Sequence, residues 1–244
     1  MKTLFFGKEK IILATVESTN NYAAKLVELP HWIDGTVIVA ELQTKGKGQM
    51  GSAWLGEEGN LFCSYAIKLP FLSPKELPNW NQAVSLAVHD TIRKFHSDPL
   101  WIKWPNDVIS KKGKLAGILI ENSLQRTSIK QSIVGIGINS KQAPQTEGAA
   151  SLDQFSDNEH LLTELSAQLE KRYFQLKNGK IDAIKLNYNE HLWMLGKPCN
   201  IKYKEQTLNV LFQGQNENGN ALFLKENGAL ELGIKEFQWI SLPY

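Results

Sequence analysis

The sequence predicts an α+β protein in which a larger domain at residues 1–195 precedes a small β domain at residues 196–244. Two observations support this prediction. As far as residue 195, amphipathic helices and strands mix without the strict alternation of parallel βα units. After Gly196 the chain changes to five short strands separated by Gly and Asn, a pattern typical of a small barrel. We therefore place a domain boundary near Leu195.

The first domain opens with a strand, a helix and a second strand, followed by a long loop. These elements are predicted at residues 11–16, from Ser18 or Thr19 as helix cap to Pro30, and at Thr36–Gln43. Residues 44–59 contain five glycines and few apolar side chains, which indicates a loop. Loops of this length are usually functional or disordered.

The rest of the first domain continues with alternating and 3.6-residue apolar patterns. An apolar stripe predicts an amphipathic helix at residues 79–96, whose simplest role is core packing. A lysine- and glycine-rich turn is predicted at residues 110–113. The other predicted elements are strands at residues 61–69, 100–104, 115–121 and 129–139, and helices at Asn158–Lys177 and residues 181–192.

The second domain is predicted to consist of short strands joined by tight turns. Asn218-Gly219 and Asn227-Gly228 are pairs that favour type I′ hairpins. The predicted strands lie at residues 199–204, 207–213, 221–226, 229–233 and 237–242.

Composition excludes several classes of protein. The chain has 27 Lys and Arg against 25 Asp and Glu, so its net charge of +2 suggests neither nucleic-acid coating nor attraction to a membrane surface. Its first residues are too interrupted for a signal peptide, and no run approaches the roughly 18 apolar residues of a membrane span. Cys63 and Cys199 stand apart, without the spacing of a zinc site or disulfide framework. A reducing, cytoplasmic location fits best.

The glycine-rich loop is the first candidate for chemistry. Residues 46–51 match the letters of the dinucleotide fingerprint GxGxxG and follow a strand. That fingerprint also requires a helix at its third glycine, whereas residues 52–60 contain two more glycines and lead into a strand, so we reject it. A glycine-rich loop with Lys47 can approach an anion closely, although the same composition also suits an ordinary surface loop.

The segment KWPNDV at residues 103–108 is the second candidate for a functional segment. Pro105 ends a strand and leaves Asn106 and Asp107 at its terminus, a common position for side chains that reach a ligand. The alternative interpretation makes Asp107 a turn residue and Trp104 a core residue.

Glycines inside two later strands form the third candidate. Gly117 interrupts the strand that begins at Lys114, and an interior strand glycine suggests close approach of a ligand or backbone. Gly135 and Gly137 alternate along the next strand and leave one of its faces bare before Asn139. Together the glycines of the two strands predict a slot.

Four ordered segments resemble the signature segments of the biotin protein ligase family. They are ESTN at 17–20, AELQTKGKGQMGSAW at 40–54, KWPND with KLAGILIE, and GIGIN. The resemblance spans nearly the whole chain, because the small β domain is similar to the SH3-like domain of that family. It implies a mixed sheet with helices on one side, of the class II synthetase-like type shared with lipoate ligases. It also implies a reaction through biotinyl-adenylate, with ATP and Mg²⁺ as cofactors and biotin as substrate.

The resemblance also implies roles for individual residues. Lys114, Lys47, Asp107 and Lys103 become catalytic candidates, and Asp107 is also the candidate for ordering Mg²⁺. The residues implied in ATP or adenylate binding are Trp54, Asn106, Asn139 and Met50. Those implied in biotin binding are Ser18, Thr19, Asn20, Gln43, Gly46, Lys47, Gly48, Gln49, Lys114, Gly117, Gly135 and Gly137.

The loop departs from the family pattern in one respect. The family usually reads GRGRxGRxW, whereas this chain reads GKGQMGSAW, with Lys47, Gln49 and Ser52 in place of arginines. Lysine lacks the bidentate contact that arginine makes to phosphate, and glutamine carries no charge. We therefore expect an active enzyme with a weaker hold on biotinyl-adenylate.

The implied partner is the biotin carboxyl carrier protein of acetyl-CoA carboxylase or another biotin-dependent carboxylase. Two alternatives stay open: a lipoate or octanoate ligase or transferase of the same fold, and a biotin-binding relative without transfer activity. Some family members carry an N-terminal winged helix-turn-helix, but ESTN is reached by residue 17 here, so no DNA binding is expected. No membrane partner is expected, and a homodimer is an assembly that the family often forms.

Overall fold

The computed structural model describes residues 3–125, 128–155, 157–226 and 228–240. A seven-stranded sheet organises the chain up to residue 138, and its order is β1-β2-β3-β7-β6-β5-β4. These strands are β1 (Lys10–Val16), β2 (Thr36–Gln43), β3 (Leu61–Ile67), β4 (Leu100–Lys103), β5 (Asp107–Ser110), β6 (Gly113–Gln125) and β7 (Ser128–Ile138).

The sheet is mixed, as the fold prediction requires. The pair β1–β2 is parallel and every other pair is antiparallel. All seven residues of β3 are buried, because this strand lies between neighbours and has both faces covered. The predicted turn at residues 110–113 joins β5 to β6, with Ser110 opposite Gly113. The short β5 was not predicted, because a four-residue strand directly after a proline carries little pattern.

Four α-helices of the described residues flank this sheet. They are α1 (Thr19–Leu26), α2 (Leu77–Ile92), α3 (Asn158–Lys177) and α4 (Ile181–His191). Within the described residues, none of the helices is both long and apolar enough to cross a membrane.

The helices do not all lie on one side of the sheet, which corrects that part of the expectation. Side chains of α2, α3 and α4 join a core that includes Val37 and Tyr65. On the opposite face, α1 contributes Ala23 to a smaller cluster with Ile38 and Ala66. Since neighbouring residues of a strand face opposite ways, α1 and the other helices cover different faces. The face that carries α1 also carries the glycines described below.

The C-terminal part forms a second, antiparallel sheet, consistent with an SH3-like domain. Its order is β11-β10-β9-β8-β12. The strands are β8 (Pro198–Tyr203), β9 (Gln206–Gln215), β10 (Ala221–Lys225), β11 (Gly228–Leu232) and β12 (Phe237–Trp239). Residue 227 and residues 241–242, which the predicted turn and last strand include, lie outside the described residues.

The turn at Asn218-Gly219 differs from the type I′ prediction. At 218–219 the chain makes a longer loop, in which Asn216 N donates to Asn220 O and the positive φ of 85° belongs to Gly219. The two-residue turn with positive φ at both positions lies instead between β8 and β9, at Lys204 (46°) and Glu205 (62°). Neither residue belongs to the Asn and Gly pairs that signal this turn in a sequence.

Aromatic side chains pack between the two sheets next to the end of strand β4. The rings of Trp104 and Phe237 stack with centroids 5.6 Å apart. Trp104 Nε1 donates to Gly219 O at 3.2 Å, and Trp239 Nε1 donates to Trp104 O at 3.4 Å. Trp104 is therefore a packing residue at the junction of the two sheets. We retain the division near Leu195 as a proposal.

Candidate functional site

A strip of bare backbone crosses the α1 face of the large sheet. Gly137 pairs with Phe62 on one side and with Gly117 on the other, and Gly117 pairs with Asp107. The indole of Trp54 lies directly on this strip. A Cβ added at Gly117 or at Gly137 would come within 2.4 Å of that ring. The glycines therefore provide a slot that any larger side chain would fill.

A polar cluster closes one end of the slot. Thr19 donates to Gln43 Oε1 from its backbone N at 2.8 Å and from its hydroxyl at 3.1 Å. The hydroxyl of Ser64 lies 2.7 Å from Thr19 Oγ1 and 2.6 Å from Asn20 Oδ1. Asn20 Nδ2 also donates to Glu121 Oε2 at 2.7 Å. Thr19, Asn20 and Ser64 are buried, so these hydrogen bonds fix their side chains.

The start of α1 explains why these residues converge. Ser18 precedes the helix in an extended conformation, and the helix N-terminus points its first side chains at the sheet. Gly135 pairs with Ser64 and leaves room for Asn20, because a Cβ at Gly135 would lie 2.1 Å from Asn20 Oδ1.

A lysine and a carboxylate form the other end of the slot. Lys114 Nζ lies 2.6 Å from Asp107 Oδ1 and 5.0 Å from the centroid of the Trp54 ring. Lys103 belongs to the same charged group. Burial lowers the pKa of Lys103, the positive charge of Lys114 lowers it further, and Asp107 acts in the opposite direction. These charges suit an anionic ligand group.

A second cavity adjoins the slot beyond Lys114. Each cavity has a volume of about 220 Å³, and they share Ala53, Trp54, Asp107 and Lys114 in their walls. Asn139 and Lys103 line the second one. Asn139 Nδ2 donates to Lys114 O and Ala150 O, while its buried Oδ1 has no hydrogen-bond partner among the described residues. A buried free acceptor of this kind calls for a donor from a ligand.

The loop before β3 folds back on itself above the slot. Lys47 bridges to Ala53, Gly48 N donates to Ser52 O at 2.6 Å, and Trp54 N donates to Gly46 O at 2.9 Å. Only a three-residue 3-10 turn, Gln49–Gly51, follows Gly48. This geometry supplies no helix for a dinucleotide pyrophosphate and agrees with our rejection of that fingerprint.

The structure brings most of the predicted site residues together. Lys103 and Asn139 line the second cavity. Gly46 lines a neighbouring groove beside Gln43 and Trp54 rather than the slot itself, and Met50 is 65% exposed. The remaining predicted residues line the slot: Ser18, Thr19, Asn20, Gln43, Lys47, Gly48, Gln49, Trp54, Asn106, Asp107, Lys114, Gly117, Gly135 and Gly137.

Ser64, Glu121 and Lys235 lie near the slot and were not predicted. Ser64 is a small hydroxyl residue within the largely apolar buried strand LFCSYAI, and that contrast was a usable signal. Glu121 and Lys235 carried no such signal. Glu121 lies at the end of an apolar run, and Lys235 belongs to the C-terminal sheet, far along the chain.

The fold and the site together define a class of protein. Residues 12–139, more than half of the chain, match the sequence model of the "Biotin/lipoate A/B protein ligase family". The matched segment contains all of the slot residues named above except Lys235. The chain therefore belongs to the biotin/lipoate A/B protein ligase family.

Individual relatives point to the biotin branch. The chain is 28% identical to the bifunctional ligase/repressor BirA of Bacillus subtilis, over 97% of this chain and 73% of that protein. It is 32% identical to the biotin–[acetyl-CoA-carboxylase] ligase of Mycobacterium tuberculosis, over 60% of this chain and 57% of that protein. It is also similar to the biotin protein ligase of Aquifex aeolicus solved with biotin and ATP. That structure has a TM-score of 0.75 and 29% identity, and the match covers 95% of this chain and 98% of the other.

Proposed function

We propose that this chain is an ATP-dependent biotin protein ligase, a biotin–[biotin carboxyl-carrier protein] ligase. The observation that carries the proposal is the order of groups along the slot. The polar cluster around Thr19 lies at one end, the glycine strip in the middle and the Lys114–Asp107 pair at the other end. Biotin presents its groups in the same order: a ureido ring, an apolar chain and a carboxylate.

The polar cluster favours biotin over lipoate. A ureido ring carries N–H donors and a carbonyl acceptor, which hydroxyl and amide groups such as those of Ser18, Asn20 and Gln43 can satisfy. The dithiolane of lipoate offers neither kind of group and would leave buried polar atoms unpaired. Such a mismatch costs about 1–3 kcal/mol for each group. The fatty chain of octanoate has the same deficiency.

In the first step, a carboxylate oxygen of biotin attacks the α-phosphorus of ATP. The new oxygen–phosphorus bond forms biotinyl-adenylate, and the bond to pyrophosphate breaks. Two anions must approach each other, so the role of Lys114 and Lys47 is to offset their repulsion. Asn139 lines the second cavity, and its free Oδ1 would accept from the amino group of adenine.

The residues present fit Mg²⁺ as well. Asp107 is a carboxylate in the shared wall of the two cavities, and Mg²⁺ usually binds one or two carboxylates together with substrate phosphates. Asp107 would hold the ion, which would supply charge neutralisation to the triphosphate.

In the second step, a lysine amine of the acceptor protein attacks the carboxyl carbon of the adenylate. An amide bond forms, AMP leaves with the electrons of the broken anhydride bond, and the amine loses a proton. The enzyme contributes mainly by holding the adenylate and excluding water, as the loop above the slot is placed to do.

We infer that the acceptor is a biotin carboxyl carrier protein. The names of similar ligases in Mycobacterium tuberculosis and Paracoccus denitrificans, which specify acetyl-CoA-carboxylase, support this inference. A cytoplasmic location is part of the proposal, supported by two buried cysteines that are both free. The proposed activity needs neither DNA nor a membrane.

Mass spectrometry of a carrier domain tests the proposal. The chain would be incubated with carrier, ATP, Mg²⁺ and either biotin, lipoate or octanoate. We expect the mass gain of one biotin and no gain with the other acids. Preferred transfer of lipoate or octanoate would identify the other branch of the family. Adenylate without any carrier modification would identify a binding relative that does not transfer.

A further inference from the structure

A lysine of the C-terminal sheet reaches the loop above the slot. Lys235 lies in the turn between β11 and β12, and its ammonium donates to the carbonyl oxygen of Met50 at 2.6 Å. It is also the residue of the C-terminal sheet that lines the slot. Met50 is at the tip of the loop and has a φ of 53°. Residues other than glycine rarely adopt this backbone conformation.

A hydrogen bond and an aromatic contact hold the turn that carries Lys235 in place. Gly233 N donates to Glu236 Oε2 at 2.5 Å across the turn. The next strand begins at Phe237, whose ring stacks on Trp104 of the large domain. Because Trp104 directly follows β4 and precedes the Asn106–Asp107 segment, the contact ties the turn to the frame that also carries the charged end of the slot.

The charge of Lys235 is available to a ligand. An ammonium has three donor hydrogens, and the Met50 carbonyl uses one of them. Among the described residues, no carboxylate lies within ion-pair distance of Lys235. By contrast, Lys45 at the base of the loop is paired with Glu17 at 2.6 Å. Lys235 therefore adds a cation beside loop positions where Gln49 and Ser52 carry none.

We propose that Lys235 is a positioning residue that pins the tip of the loop over bound biotinyl-adenylate and slows its escape. This inference rests on the proposed function, since it concerns the intermediate of that reaction. Lys235 acts through the Met50 carbonyl, so its loss should raise the rate of adenylate escape without altering the fold. The slot between Thr19 and Lys114 is formed without it, so biotin should still bind.

The test compares Lys235→Met with Lys235→Arg, which retains a donor, and with Lys225→Met, a change at an exposed lysine of the same sheet. Release of labelled biotinyl-adenylate is followed after removal of free biotin and ATP. We expect escape to be about three- to ten-fold faster in Lys235→Met, as for loss of one charged hydrogen bond at an exposed position. Lys235→Arg should restore the slow rate, and Lys225→Met should leave it unchanged.

Hydrogen exchange of the loop in the ligand-free chain gives an independent readout. Lys235→Met should exchange faster than the wild type across residues 46–54, with unchanged thermal stability. Equal adenylate escape from Lys235→Met and wild type overturns the proposal, as does faster escape accompanied by a matching loss of thermal stability. If the wild type forms no adenylate, the proposed function fails. Unchanged loop exchange in Lys235→Met then shows separately that the Lys235 contact does not pin the loop.

Discussion

The polar end of the slot and the loop above the slot are held in different ways. At the polar end, Thr19, Asn20 and Ser64 are buried and bonded to one another on a central strand. In the loop above the slot, Lys47 and Met50 are exposed, and the loop is held by its own short contacts and by Lys235. In the proposed ligase, recognition of the biotin ring would therefore rest on core residues, whereas retention of the adenylate would depend on a surface segment. Substitutions in these two regions should therefore affect different measurements.

The largest effect is expected from a substitution that closes the slot at its polar end. In Gly135→Ala the new methyl group would lie 2.1 Å from Asn20 Oδ1, and Asn20 is held by Ser64 and Glu121. We expect a loss of about 1–3 kcal/mol in the free energy of unfolding and loss of biotin binding. Thermal denaturation and calorimetric titration with biotin measure the two effects.

Gly137→Ala is the matched change in the glycine strip, beneath the Trp54 ring of the loop. Its methyl group would meet the ring of Trp54, which belongs to the loop and can move away. The ligand-free chain should then lose less than about 1 kcal/mol. If both alanine variants were equally destabilised, the contrast between a fixed polar end and a movable loop would be wrong.

The next effect concerns the hydrogen bonds of the polar end. Ser64→Ala removes the hydroxyl that contacts Thr19 and Asn20, so biotin affinity should fall about ten-fold or more, as expected for buried groups left unpaired. Ser132→Ala is the control, because Ser132 is equally buried in the same sheet but accepts from Trp80 Nε1. Both variants should lose stability, and only Ser64→Ala should lose biotin affinity. Equal biotin affinity in the two would contradict the assignment of the polar end.

A smaller effect is expected from a substitution in the loop above the slot. Gln49→Arg restores a charge that the family pattern carries in this loop and adds a planar donor for phosphate. Escape of biotinyl-adenylate should slow roughly ten-fold, while biotin affinity stays unchanged, because the polar end is untouched. The rate of release of labelled adenylate is the measurement, and equal rates in Gln49→Arg and the parent would sink the idea.

The smallest effect is a shift in pH dependence. Because burial lowers the pKa of Lys103, this side chain loses its charge at a lower pH than an ordinary lysine as the pH rises. ATP binding should therefore weaken on the alkaline side. Arginine stays protonated throughout this range, so Lys103→Arg should move the decline to higher pH. If the pH profiles of ATP affinity for Lys103→Arg and the wild type coincide, the charge of Lys103 does not contribute to ATP binding.

Local patterns predicted much of the fold. Helix α3 has the predicted bounds, because a long apolar stripe follows a capping aspartate, Asp157, whose side chain accepts from His160 N. Strand β2 also has the predicted bounds. The position of α1 on the opposite face was not predictable, since it depends on which face of a distant strand receives Ala23. The turn at Lys204 and Glu205 lacked its usual residues and is imposed by the pairing of β8 with β9.

Some residues of the candidate site were likewise predictable from local sequence patterns, and others were not. Gly135 and Gly137 were predicted as one wall of a slot because a period of two places them on one face of a strand. The partners of Thr19 and Asn20 could not be predicted, since Ser64 and Glu121 reach them only through pairing of strands distant in sequence. Lys235 lies still further away, on a second sheet. Sequence pattern thus located the slot, and tertiary contacts determine what lies around it.

Two lysines of one hairpin provide the decisive test of the proposed ligase activity. Lys114 lies in the slot beside Asp107, whereas Lys112 is exposed and paired with Asp98 at 2.9 Å. A carrier domain would be incubated with biotin, ATP, Mg²⁺ and either the wild type, Lys114→Ala or Lys112→Ala, and weighed by mass spectrometry. The ligase account predicts a gain of one biotin with the wild type and Lys112→Ala, and at least a hundred-fold slower gain with Lys114→Ala, on the order expected for a lost charge contact to the reacting anions. Equal labelling by all three proteins would contradict the placement of the reaction in this slot, and no labelling by any of them would contradict the ligase itself.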